Sequence, residues 1–132
     1  DMLNKIILSL GSNQDQEKNM AEAVRILRNQ FVSIAFSNSV YTEPIGLTGS
    51  APFLNRVAVA YTSEQPDEIK HLLKRIEYKL QRMPDDKNFG IVPIDIDLLQ
   101  WNELILKPDD LRRYYIIEGI RALENEEFKQ MK

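Results

Sequence analysis

The stretch from Ile94 to Trp101 reads Ile-Asp-Ile-Asp-Leu-Leu-Gln-Trp, and its alternation of apolar and acidic residues predicts a half-buried strand. Because side chains alternate between the two faces of a strand, Asp95 and Asp97 point the same way and their apolar neighbours point into a core. Two adjacent carboxylates disfavour each other's ionised form, so such a pair usually holds a cation. Oxygen ligands alone favour magnesium or manganese. The alternative is an edge strand with a solvated acidic face.

Length and composition indicate one globular domain over residues 1–132. Hydrophobic residues make up 43% of the chain and the formal net charge is −3, which disfavours a general binder of nucleic acid or membrane surfaces. The absence of cysteine excludes a disulfide framework and a cysteine metal site. No apolar run approaches the roughly 18 residues of a membrane span, and residues 1–5 lack a signal-peptide pattern. We expect a cytoplasmic protein and a monomer.

The N-terminal part of the chain predicts a strand, a helix and a second strand. The apolar run Lys5–Leu10 ends in a Gly-Ser-Asn turn at 11–13, whose serine or asparagine can cap the helix that follows. That helix shows apolar residues at helical spacing: Met20, Val24, Leu27 and Phe31. The β-branched segment Val32–Thr42 predicts a strand with four residues on one face: Val32, Ile34, Phe36 and Val40.

A loop and a third strand follow. Glu43–Pro52 contains two prolines and two glycines and is long for a connection between strands, as functional loops often are. Phe53–Thr62 predicts a strand whose mostly apolar face includes Asn55. A buried amide needs hydrogen-bond partners. Asn55 either bonds the neighbouring loop backbone or contacts a ligand.

A second amphipathic helix begins near Pro66. Its apolar stripe contains Ile69, Leu72, Leu73, Ile76 and Leu80. His71 lies off the stripe and is expected on the surface. Glu77 lies beside the stripe and either pairs with Lys74 or Arg82 or belongs to a ligand or metal shell. The polar segment Met83–Gly90 predicts a flexible loop before the aspartate strand.

The order strand, helix, strand, strand, helix, strand predicts an α+β fold of the ferredoxin-like βαββαβ kind, with an antiparallel sheet and two helices on one face. Glu103–Leu106 suggests a further short strand, and Arg112–Met131 a short C-terminal helical addition that Gly119 weakens. Some RNA-binding modules share this fold. The strand after the first helix lacks the aromatic, basic, glycine-rich pattern of those modules, so we expect no nucleic-acid partner.

Four short motifs occur in order on this frame: Leu10-Gly11-Ser12-Asn13, Tyr41-Thr42-Glu43-Pro44-Ile45-Gly46, Phe53-Leu54-Asn55-Arg56-Val57 and Ile94-Asp95-Ile96-Asp97-Leu98-Leu99. Together they resemble the 6-hydroxymethyl-7,8-dihydropterin pyrophosphokinase family of folate biosynthesis, over roughly residues 5 to 101. The resemblance implies a magnesium-dependent transferase. In that reaction the hydroxymethyl oxygen of the pterin attacks the β-phosphorus of ATP and AMP is released.

The resemblance also implies roles for individual residues on the phosphate side. Asp95 and Asp97 match the aspartates that bind two magnesium ions, which would neutralise the triphosphate and align donor and acceptor. Arg82 matches a catalytic arginine near the nucleotide, and Glu77 another position there. The pair Arg112–Arg113 is a further candidate for contact with the nucleotide.

On the pterin side, the resemblance implies that Phe53 stacks on the ring and that Asn55 hydrogen-bonds its edge. Three residues match the loop whose backbone contacts the ring: Thr42, Ile45 and Gly46. Tyr114 is a candidate for the second aromatic residue of the pterin sandwich.

The chain departs from the family's pattern where positive charge is expected. The family has a further arginine two residues after the one matched by Arg82, and this chain has Pro84 there. The family's aromatic-Gly-Pro-Arg motif reads Phe-Gly-Ile-Val at 89–92, so valine replaces the arginine. The family's Pro-His pair after the aspartates is absent. Loss of one such donor commonly costs on the order of 3 kcal/mol of transition-state stabilisation. Full activity then requires that Lys87, Arg112 or Arg113 supply the missing positive charge. A second hypothesis is therefore a non-catalytic relative that binds a pterin or a nucleotide.

Overall fold

In the computed structural model, which describes residues 2–44 and 51–130, six strands form one sheet in which every described pair is antiparallel. The strands are β1 (Asn4–Ser12), β2 (Ser33–Phe36), β3 (Val40–Thr42), β4 (Phe53–Thr62), β5 (Asp95–Trp101) and β6 (Leu104–Ile105). The sheet order is β2-β4-β1-β5-β6, with β3 also paired to β4. The first and last strands of the βαββαβ unit therefore lie side by side in the sheet, as the ferredoxin-like prediction requires.

Two helices cover one face of this sheet. They are α1 (Gln16–Arg28) and α2 (Pro66–Lys79). Their apolar stripes pack on the strands in the larger core cluster, whose fully buried members include Ile6, Leu8, Leu27, Ile69 and Ile94. Pro at the first turn and a reciprocal Gln65–Glu68 capping box begin α2. The ferredoxin-like prediction, with two helices on one face, is confirmed.

The C-terminal helix covers part of the opposite face. After the short α3 (Pro108–Leu111), α4 (Tyr114–Gln130) packs on β4. A second core cluster forms there, from Ile7, Val57, Val59, Leu99, Ile116 and Leu123. Gly119 lies where α4 comes close to β4: a Cβ atom at this position would overlap with Cγ1 of Val57 and lie 3.2 Å from Cβ of Ser37. The glycine that weakened the helix prediction is thus required by packing.

We expect Gly119→Ala to destabilise the protein by about 1–3 kcal/mol, because overpacking outweighs the roughly 1 kcal/mol gain in helix propensity. Urea unfolding measures the change. Removing the overlapping methyl groups with Val57→Ala should make the Gly119→Ala substitution less costly. If Gly119→Ala is as damaging in the Val57→Ala background, the overlap is not the cause.

The prediction of one strand over Val32–Thr42 is wrong. Phe36 lies opposite Ala58, whereas Val40 lies opposite Asn55. Moving four residues along the chain, from Phe36 to Val40, therefore corresponds to moving only three residues along β4. A one-residue shift of register exchanges the faces of a strand. Val40 therefore lies on the α4 face while Phe36 packs with α1 and α2, and Val32 is 74% exposed.

Two local predictions also need correction. The residue that precedes α1 is Asp15, in a left-handed conformation with no side-chain cap, rather than Ser12 or Asn13. The segment predicted as a flexible loop contains a 3₁₀ helix, Asp86–Phe89. His71 is exposed, as predicted. Among the described residues, no helix has the length and apolar character needed to cross a membrane.

Candidate active site

The polar residues of three neighbouring strands form one row on the α4 face of the sheet. Gly11 of β1 pairs with Asn55 of β4 on one side and with Asp95 of β5 on the other. Residues directly opposite each other in antiparallel strands share a face. Two residues further along β5, on the same face, Asp97 lies opposite Ser9 of β1. The antiparallel register thus brings the amide of Asn55 close to two carboxylates that follow it by 40 or more residues in sequence.

A cleft of about 280 Å³ opens above this row. It lies at the N-terminal end of α4, whose residues Tyr115 and Ile116 belong to its lining. The cleft is lined by Ser9, Leu10, Gly11, Thr42, Glu43, Phe53, Asn55, Lys87, Asp95, Asp97, Asp110, Arg113, Tyr115 and Ile116. A Cβ atom at Gly11 would lie 3.5 Å from the Phe53 ring and 3.6 Å from Oδ1 of Asn55, so the glycine leaves space on the floor between them.

The two aspartates face this cleft together, as the alternation predicted. Ile94, Ile96 and Leu98 are buried on the other face. Burial, the charge of Asp95 and a hydrogen bond with Asp95 raise the pKa of Asp97 to about 7, although Lys107 acts to lower it. The site therefore holds electrostatic repulsion that a bound cation would relieve.

The raised pKa of Asp97 predicts how stability changes with pH in metal-free protein. Asp97 has an ordinary pKa of 3.8 when unfolded and about 7 when folded, so the folded state binds more protons between these values. The free energy of unfolding should fall as pH rises through that window, and this component should be absent in Asp97→Asn. Urea unfolding in EDTA, comparing both proteins at about pH 4 and about pH 8, measures the difference. Parallel pH profiles would contradict the assignment.

Arg82 and Glu77 lie behind Asp95 and do not line the cleft. Nη1 of Arg82 is 2.7 Å from Oδ1 of Asp95 and 3.2 Å from Oε1 of Glu77. Glu77 is 4% exposed, and its Oε2 accepts a hydrogen bond from the Ile96 amide at 2.8 Å. Burial raises the pKa of Glu77, although the Ile96 amide and Arg82 act against the shift. The ion pair with Arg82 and that with Lys74, at 3.6 Å, match the salt-bridge alternative for Glu77.

Asn55 is held by its amide nitrogen. Nδ2 donates to Oγ1 of Thr42 at 2.7 Å and to the carbonyl oxygens of Val40 and Phe53. Its Oδ1 is directed towards the floor at Gly11. Bonding to the neighbouring backbone is therefore present, and it fixes an acceptor oxygen at the cleft. The two alternatives for Asn55 are compatible.

Tyr114 does not line the cleft that contains Asp95 and Asp97, called the aspartate cleft below. It lies in a neighbouring cleft of about 630 Å³. This second cleft is lined by Tyr41, Thr42, Glu43, Pro52, Arg113, Tyr114 and Tyr115. The Tyr114 ring meets the Tyr115 ring edge to face at 5.5 Å. Tyr115 lines both clefts, so it is the tyrosine that shares the aspartate cleft with Phe53.

Two of the three candidate substitute cations line the aspartate cleft. Lys87 belongs to the 3₁₀ helix, and Arg113 directly precedes α4. Arg113 is held by Asp110 at 3.1 Å, which also lines the cleft. Arg112 is 75% exposed and pairs with Asp109 outside the cleft.

The comparison with known proteins identifies the family. The sequence model described as 7,8-dihydro-6-hydroxymethylpterin-pyrophosphokinase (HPPK) matches residues 7–125, nearly the whole chain. The chain belongs to the HPPK family. The match includes the strands that carry the site and most of α4, so it extends beyond the motifs at residues 5 to 101.

Three relatives illustrate the match to HPPK. A 2-amino-4-hydroxy-6-hydroxymethyldihydropteridine pyrophosphokinase of Bacillus subtilis is 32% identical over 83% of this chain and 67% of its own length. One of Porphyromonas gingivalis is 34% identical over 71% of this chain and 67% of its own. The folate synthesis bifunctional protein of Arabidopsis thaliana is 29% identical over 81% of this chain. The chain spans 22% of that protein and about two thirds of the bacterial ones.

The structure brings together part of the predicted HPPK site. Thr42, Phe53, Asn55, the two aspartates and Arg113 share the cleft. Ile45 and Gly46 lie outside the described residues. Tyr115 and Asp110 also line the cleft, and the sequence pattern predicted a site role for neither of them. Their sequence positions were the available signal: Tyr115 directly follows Tyr114, and Asp110 lies three residues before Arg113, a spacing at which side chains can pair.

Proposed function

We propose that this chain transfers the pyrophosphoryl group of ATP to 6-hydroxymethyl-7,8-dihydropterin. A bond forms between the hydroxymethyl oxygen and the β-phosphorus, and the bond from that phosphorus to the oxygen bridging it to the α-phosphorus breaks. AMP leaves and the hydroxyl proton is released. Membership of the HPPK family supports this reaction, and the relatives named as pyrophosphokinases do not favour a binding-only protein. The observation that carries the proposal is the single cleft that joins Asn55 and Phe53 to the two aspartates.

At one end of the cleft, Phe53 and Asn55 suit a flat heterocycle with hydrogen-bonding edges. The Phe53 ring offers a stacking surface. Because Nδ2 of Asn55 is anchored by Thr42, its Oδ1 is oriented to accept a hydrogen bond from an amino or ring N–H group. We propose Tyr115 as the second aromatic residue, since it reaches this cleft from α4 whereas Tyr114 does not. Gly11 has no side chain, so the floor of the cleft beside Phe53 and Asn55 stays open.

At the other end, Asp95 and Asp97 fit a magnesium site. Their carboxylates are hard oxygen ligands on one face. Burial and the charge of Asp95 raise the pKa of Asp97, and a divalent ion would offset both effects. Within residues 2–44 and 51–130, no group of three or more acidic, histidine or cysteine ligands occurs, so waters and phosphate oxygens would complete the shell. When bound, magnesium supplies positive charge to the triphosphate. We propose two ions, with both aspartates as ligands.

Two cations of this chain are placed to act on the triphosphate. Lys87, from the 3₁₀ helix, and Arg113, directly before α4, line the same cleft as the aspartates. Arg113 is oriented by Asp110, which lowers the cost of ordering its side chain on a phosphate. We propose that these two compensate for Pro84 and Val92, at which the family pattern has arginines. Arg112 is not needed for this role.

The test is AMP release in the presence of ATP, magnesium and 6-hydroxymethyl-7,8-dihydropterin. We expect AMP and the pterin pyrophosphate in equal amounts, and no AMP when the pterin or magnesium is omitted. Absence of turnover at high protein concentration, with the pterin still bound by calorimetry, would reject the transferase. The lack of cysteine fits a reducing compartment, and we place the reaction in the cytoplasm.

A further inference from the structure

The edge of β5 next to the two aspartates is closed by a side chain rather than by a strand. On one side β5 pairs with β1 from Asp95 onward, whereas on the other side β6 pairs only with Gln100 and Trp101 in the described chain. The amide of Ile96, between the two aspartates, donates to Oε2 of Glu77 at 2.8 Å. A buried amide requires such an acceptor. Glu77 on α2 therefore fixes the backbone from which both carboxylates project.

The other oxygen of Glu77 shares Arg82 with Asp95. Nη1 of Arg82 is 3.2 Å from Oε1 of Glu77 and 2.7 Å from Oδ1 of Asp95, and it also donates to the carbonyl oxygen of Ile94. The Arg82 side chain is 20% exposed. A cation that binds Asp95 competes with this guanidinium. Leaving this largely buried guanidinium without a carboxylate would be costly, but Glu77 remains beside it.

We propose that Glu77 is a positioning residue: it fixes the strand between the aspartates and keeps Arg82 paired while Asp95 exchanges Arg82 for a divalent cation. The inference deepens the proposed function and rests on it. The resemblance implied that Glu77 lies near the nucleotide. We propose the positioning role instead of direct contact, because Glu77 is buried and does not line the cleft. Glu77 acts on the ligand only through Ile96 and Arg82.

Three substitutions separate these two effects. Glu77→Gln removes the charge and retains an oxygen that can accept from the Ile96 amide, whereas Glu77→Ala removes both. Lys74→Ala is the matched control, since Lys74 is 79% exposed and approaches the same carboxylate from outside at 3.6 Å. Each variant is also made in an Arg82→Met background. Two quantities are measured: Mn²⁺-dependent binding of ATP without pterin, by calorimetry, and hydrogen exchange of the Ile96 amide in metal-free protein, by NMR.

We expect Glu77→Gln to weaken Mn²⁺-dependent ATP binding about tenfold, within the range of couplings between contacting side chains. Its Ile96 amide should remain protected, whereas Glu77→Ala should also lose that protection. In the Arg82→Met background Glu77→Gln should have no further effect on binding, and Lys74→Ala should change neither quantity. This pattern distinguishes positioning from general destabilisation, which would alter binding and exchange together.

The inference is overturned if Glu77→Gln binds as the unaltered protein does, or if its penalty persists with Arg82→Met. It is equally overturned if Glu77→Ala leaves Ile96 protected. Failure of the proposed function looks different: the unaltered protein itself then shows no Mn²⁺-dependent ATP binding and no AMP release. In that case the proposal that Asp95 releases Arg82 to bind a cation is also rejected. Protection of the Ile96 amide from hydrogen exchange still tests whether Glu77 holds β5.

Discussion

Replacing Asp95 and Asp97 together by asparagine should lower the rate of AMP release by about a thousandfold or more. Asparagine keeps the size of each side chain but removes the negative charge that holds a divalent cation. Magnesium-dependent binding of ATP should be lost at the same time. Steady-state assays and calorimetry with and without EDTA measure the two effects.

Asp109→Asn is the control for this double substitution. Asp109 follows the site in sequence but is 90% exposed and pairs with Arg112 outside the cleft. It should leave the rate unchanged. The metal-free double variant should be as stable as the unaltered protein or more so, because it removes the cost of burying an ionised Asp97 and the repulsion from Asp95, which together raise the pKa of Asp97. A double variant that still binds ATP in a magnesium-dependent way would disprove the assignment of these residues as ligands.

The second large effect is expected from Phe53→Ala, which should weaken pterin binding about thirtyfold, since aromatic stacking on a heterocycle contributes about 2 kcal/mol. Affinity for ATP alone should change little, because Phe53 lies at the far end of the cleft's polar row from Asp97. Calorimetry with the pterin and with ATP separates the two. Phe53→Leu should give an intermediate loss, as it keeps the apolar volume without the ring.

Tyr78→Ala is the matched aromatic control. Tyr78 lies on α2, is 77% exposed and lines neither of the two clefts. It should not alter pterin affinity. Amide hydrogen exchange measured by NMR should show that Phe53→Ala keeps the pairing of β3 with β4, where Phe53 lies opposite Thr42. Unchanged pterin affinity in a folded Phe53→Ala protein would move the pterin to the neighbouring tyrosine cleft.

Local sequence was informative where a residue's environment follows from its periodicity. The alternation at Asp95 and Asp97 placed both carboxylates on one face, and the apolar stripes of α1 and α2 identified their buried faces. It failed over Val32–Thr42, because one extra residue opposite β4 exchanges the faces and no local propensity encodes a register shift. The regular pairing of β2 with β4 ends at Ser37. There the Ser37 amide donates to the carbonyl oxygen of Val57, and the Val57 amide donates to the Ser37 hydroxyl instead of to a backbone carbonyl.

The sequence by itself determined the βαββαβ order, the carboxylate pair and, through its motifs, the resemblance to the HPPK family. Only the tertiary structure placed Gly11 between Asn55 and Asp95, put Tyr115 rather than Tyr114 in the aspartate cleft, and set Glu77 behind Asp95. The physical reason is range. Periodicity and propensity act over a few residues, whereas these contacts join strands and helices far apart in the chain and depend on antiparallel register and helix packing.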